Sequence, residues 1–90
     1  MGDPQACWDE LRKLAEGGLG DPRQTANKIV REYRTAAKRS ELALFQKRLE
    51  DTLVAGQYTT VPLTDLDHHA RWLTVLAVAI GATKEKRNLA

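Results

Sequence analysis

Ala70-Arg71-Trp72-Leu73-Thr74-Val75-Leu76-Ala77-Val78-Ala79-Ile80 is the run on which the fold turns. Wound at about 100° per residue, this stretch and its lead-in place Leu66, Ala70, Leu73, Leu76, Ala77 and Ile80 on one apolar face. Trp72, Val75, Val78 and Ala79 cover much of the other side, and Asp67, Arg71 and Thr74 make the remaining polar strip. A helix that is apolar nearly all round sits inside something. This one is expected at the centre of a small bundle, with its Leu73–Leu76 face in the core. Trp72, Val75, Val78 and Ala79 are then left to meet a second copy of the chain.

Working outward, three further helices are expected. Asp3-Pro4 reads as an N-cap followed by proline at the first helical position. The helix it opens runs to about Glu16, burying Cys7, Leu11 and Leu14 beside Trp8 and Ala15, and Gly17-Gly18 stops it. Asp21-Pro22 repeats the start signal, with Gln24 at the return position of a capping box. The helix that follows buries Ala26, Ile29, Val30, Tyr33 and Ala37, and the next buries Leu42, Phe45, Leu49 and Leu53 before Gly56. From Gln24 to Ala55 there is no glycine or proline, so propensity alone permits one long helix. The apolar stripe nevertheless swings by about 150° between Ile29 and Phe45 at helical pitch. A break near Lys38-Arg39-Ser40, with Ser40 as the next N-cap, brings both stripes onto one core.

Gln57 to Leu63 (QYTTVPL) is β-branched and aromatic, and Pro62 keeps Val61 out of the helical region. It reads as an extended connector. Thr64 then caps the last helix, Asp65 and Asp67 complement its dipole, and Gly81 closes it. The fold class is all-α: four helices with an extended connector before the last. A single domain over 1–82 and a charged tail over 83–90 complete the organisation.

Ninety residues suffice for one small core and bury roughly 60–65% of the surface the unfolded chain exposes. Hydrophobic residues at 42% and charged ones at 29% are globular values, too apolar for disorder. Cys7 is the single cysteine, which excludes a disulfide-stapled scaffold. The first residues lack the basic and apolar blocks of a signal peptide. The densest apolar stretch, Val75 to Ala82, is eight residues against about 20 for a span. The cytoplasm, of a cell or of an infected host, is the expected location, with no membrane partner.

Asp65, Asp67, His68 and His69 crowd the first turn of the last helix, and Asp65 and His69 stand four apart. One helix face offers a metal only two ligands, and no further histidine or second cysteine completes a set, so no metal and no cofactor are assigned. Leu66 to Trp72 is similar over seven residues to the His-His-Pro-x-x-Trp signature of pterin carbinolamine dehydratases. Ala70 stands where that family has proline, and an apolar helix follows where its fold needs strands, so no function is carried over. Gly17-Gly18-Leu19-Gly20-Asp21 resembles a phosphate cradle, but Asp21 occupies the anion's place and no Lys-Ser/Thr follows. Cys7 has no base beside it in sequence and reads as a core residue. No enzyme is expected.

The basic residues are the strongest functional lead. Lys28, Arg31, Arg34, Lys38, Arg39, Lys47 and Arg48 gather in the middle third and could form one stripe. Glu32, Glu41, Glu50 and Asp51 interleave with them, no aromatic residue lines the stripe for base stacking, and the net charge is only +2. The expected function is therefore recognition of a protein, acidic where it meets the stripe, by a small dimeric regulator, adaptor or inhibitor. The alternative is a DNA- or RNA-binding protein using the basic face of the second helix.

Overall fold

The computed structural model describes residues 4–17 and 20–85. Four helices follow one another: α1 (Pro4–Ala15), α2 (Pro22–Ala36), α3 (Arg39–Ala55) and α4 (Leu66–Lys84), with no strand among the described residues. The expected all-α bundle is the fold. The expected caps at Asp3 and Gly18 and the tail from residue 86 lie outside the described residues.

Local chemistry accounts for most boundaries. Gly17 takes a φ of +136°, in the region where a side chain would be strained, and ends α1. Asp21 accepts a hydrogen bond from the Arg23 amide at 2.9 Å and opens α2 with Pro22 behind it. Gly56 closes α3 in the left-handed conformation, φ +67°. The break between α2 and α3 is real: Ala37 and Lys38 are both extended, with ψ of 147° and 154°. It lets the α2 and α3 stripes meet, so that the rings of Tyr33 and Phe45 lie 5.0 Å apart.

Three boundaries differ from expectation. Ser40 lies inside α3, and Lys38 is its N-cap without a side-chain bond, because the chain has already turned at Ala37. Asp65, not Thr64, caps α4: its carboxylate accepts from the His68 amide at 3.1 Å. Thr64 still belongs to the preceding turn, in which the Asp65 amide donates to the Pro62 carbonyl. Gly81 does not end α4, which continues to Lys84, so the first two residues of the expected tail are helical. The Arg34 guanidinium holds the late turn together, donating to the carbonyls of Ala82 (3.1 Å) and Glu85.

The core takes Cys7, Leu11, Leu14 and Ala15 from α1, Ala26, Val30 and Tyr33 from α2, Phe45 and Leu49 from α3, and Trp72, Val75, Leu76, Ala79 and Ala82 from α4. The last helix touches all three others and is the central one, as its apolar girth requires. Of its expected core face only Leu76 is fully buried; the rest of that face turns outward and the opposite face turns in. Trp72, Val75 and Ala79 are 1%, 0% and 0% exposed, while Leu66 and Leu73 are 75% and 42% exposed. The contact residues assigned to a second copy are used up inside the single chain, except half-buried Val78. Trp72 decides this. The largest side chain of α4 packs between Trp8 at 6.3 Å and Tyr58 at 5.4 Å, and burying that much apolar surface brings its own face inward.

Gly81 faces open space, where an added Cβ would meet nothing within 4 Å. Gly81→Ala should therefore stabilise the fold by about 1 kcal/mol through helix propensity alone. A higher midpoint in thermal circular dichroism is the check, and an unchanged or lower one contradicts the placement.

Candidate functional site

Two groups of side chains drew attention in the sequence, and tertiary structure treats them differently. The histidines form a clamp. His69 Nε2 faces the carbonyls of Val61 (3.0 Å) and Pro62 (3.1 Å), so it carries the proton, and Nδ1 accepts from the Tyr58 hydroxyl at 2.9 Å. His68 Nε2 lies 2.9 Å from Glu16 Oε2 and 3.1 Å from Thr59 Oγ1, and the Thr59 hydroxyl donates to Glu16 Oε1. Together they sew the connector and the end of α1 onto the first turn of α4. Asp65 caps the helix and does not join His69. No group of three or more metal-ligating side chains gathers among the described residues.

Cys7 is buried in the core, and burial, reinforced by the Glu10 carboxylate, pushes its thiol up to about 12 from 9.0. The unfolded chain releases this proton from about pH 9 upward while the folded one keeps it. Stability from this group is thus complete below pH 9 and lost as pH rises toward 12. At pH 8 the native thiol should resist a disulfide exchange reagent that reacts at once in urea. Equal rates in both would contradict its burial.

Several of the seven basic residues expected in the stripe are engaged within the chain. Arg31 binds the Glu85 carboxylate through two bonds of 2.7 and 3.2 Å. Arg34, mostly buried, serves the C-terminal turn of α4. Arg48 lies 4.4 Å over the Trp8 ring and donates to Gln5 Oε1 at 3.0 Å. Lys47 sits 3.5 Å from Asp51 one turn on. Lys28, Lys38 and Arg39 stand exposed on α2 and at the start of α3. The interleaved acids in the sequence foreshadowed the Lys47–Asp51 pair, but nothing local could show that Arg31 and Arg34 reach across to residues 82–85.

An apolar surface remains that the sequence does not single out. On α3, Leu44 and Val54 are 69% and 88% exposed, on the same outer face as Ser40, Lys47 and Asp51. On α4, Leu66, Ala70, Leu73 and Ala77 face outward, and Leu73 and Ala77 border a shallow groove of about 440 Å³ with Arg23, Thr74 and Val78. The three-and-four spacing of that face is visible in the sequence, but so is the equally apolar face opposite. No helix is long and apolar enough to cross a membrane among the described residues. Comparison with protein-family models, with curated proteins and with solved structures returned no match to this chain.

Proposed function

We propose that the chain is a non-catalytic recognition module that acts by occupying the surface of a protein partner, as a small regulator, adaptor or inhibitor. The observation that carries this reading is the outer face of α3, where Leu44 and Val54 stand 69% and 88% exposed. Burying two such side chains is worth roughly 3–6 kcal/mol at about 1.5–3 kcal/mol each. Lys38 and Arg39, exposed at the N-terminal end of the same helix, suit a partner segment that is apolar with acidic residues beside it. Self-association through α4 belongs to the same reading. The nucleic-acid alternative loses Arg31 and Arg34 to Glu85 and to the end of α4.

The test uses the chain as bait in a lysate, with and without nuclease, beside Leu44→Ser/Val54→Ser and Lys28→Glu/Lys38→Glu/Arg39→Glu variants. Proteins kept after nuclease and released by the first variant are the expected result. Retention that vanishes with nuclease and with the charge reversal moves the function to nucleic acid. Retention untouched by the first variant removes α3 as the contact.

A further inference from the structure

We infer that the outer face of α4 is the seam of a two-fold, antiparallel dimer. The inference rests on the self-association just proposed and specifies its geometry. Leu66, Ala70, Leu73, Ala77, Ile80 and Lys84 recur at alternating spacings of four and three, the pattern of a helix that packs along another helix. The seam runs the full nineteen residues of α4 and is still uncovered when the four-helix core is complete, Ile80 alone being half-buried.

Its composition selects a second copy running the other way. About an axis beside Val75, Leu73 faces the partner's Ala77 and Ile80 faces the partner's Ala70. At the centre of the seam each large side chain then meets a small one, so the two backbones can approach there without a void. A parallel pairing sets Leu73 against the partner's Leu73 and Ala77 against the partner's Ala77, and alternates crowding with gaps. Charge points the same way. Asp65 and Asp67 sit at the start of α4 and half-exposed Lys84 at its end, 3.3 Å from Glu50. Antiparallel pairing lays the stem of the partner's Lys84 along Leu66 and its ammonium near Asp67, and opposes the two helix dipoles. Parallel pairing brings acid to acid at one end and lysine to lysine at the other.

Sedimentation equilibrium of the whole chain, with oxidative cross-linking, tests this. The wild type should be a dimer at micromolar concentration. Ala77→Gln, an exposed change to a good helix former, should raise the dissociation constant at least tenfold with unchanged circular dichroism. An equimolar mixture of Leu73→Cys and Ala77→Cys chains, oxidised with glutathione disulfide, should yield mainly the mixed 73–77 disulfide, while buried Cys7 stays reduced. A monomer at every concentration up to high micromolar overturns the seam and leaves the α3 contact to its own test. A dimer indifferent to Ala77→Gln, or one that cross-links 73 to 73, overturns this pairing while self-association stands.

Discussion

Leu76→Asp is expected to abolish the cooperative unfolding transition, whereas Leu73→Asp, three residues earlier on the same helix, leaves it in place. Leu76 is 0% exposed at the centre of the bundle. Its truncation alone costs about 2–5 kcal/mol, and a carboxylate in its place adds the penalty of a buried, unpaired charge. A chain of this size has about 5–10 kcal/mol to lose. Leu73 is 42% exposed, so its aspartate keeps water and shifts stability by at most about 1 kcal/mol. Its effect should appear instead in sedimentation, as loss of the dimer. Thermal circular dichroism on dilute samples separates the two. If Leu73→Asp unfolded the chain and Leu76→Asp did not, the two faces of α4 would be assigned the wrong way round.

Arg34→Ala is the second large effect, expected at about 2–3 kcal/mol of destabilisation. The guanidinium donates to the Ala82 and Glu85 carbonyls and sits 3.8 Å from the Glu85 carboxylate, with 13% of its side chain exposed. Charged hydrogen bonds are worth about 1.5–3 kcal/mol, and this one keeps the carbonyls at the end of α4 from being stranded. Arg34→Lys should recover little, since an ammonium is a point donor and cannot span two carbonyls as a planar fork does. A urea midpoint lowered by about 1–2 M is the measure. Faster amide exchange at residues 82–85 should accompany it. Lys28→Ala, an exposed neighbour on α2, should change stability by under about 0.5 kcal/mol. Equal effects would mean that Arg34 is one more solvated cation.

The amino-acid sequence already carried the four helices, most of their ends and the break at Ala37–Lys38. Proline, glycine and the caps act over three or four residues, and a swinging apolar stripe can be counted without coordinates. It also determined that α4 is central, because a helix with so little polar surface has nowhere else to go. Which face of α4 turns inward depended on packing between distant helices. Leu73 and Leu76 are equally apolar, and the choice went to the side carrying Trp72, whose volume needs Trp8 and Tyr58 from distant parts of the chain. The same kind of long-range meeting carried α4 past Gly81, through Arg34, and made His68 and His69 a clamp on Glu16, Thr59 and Tyr58. Local rules end where a side chain's partner lies more than one turn away, and in this chain both the exposed seam and the pairing of Arg31 and Arg34 with residues 82–85 lie beyond that reach.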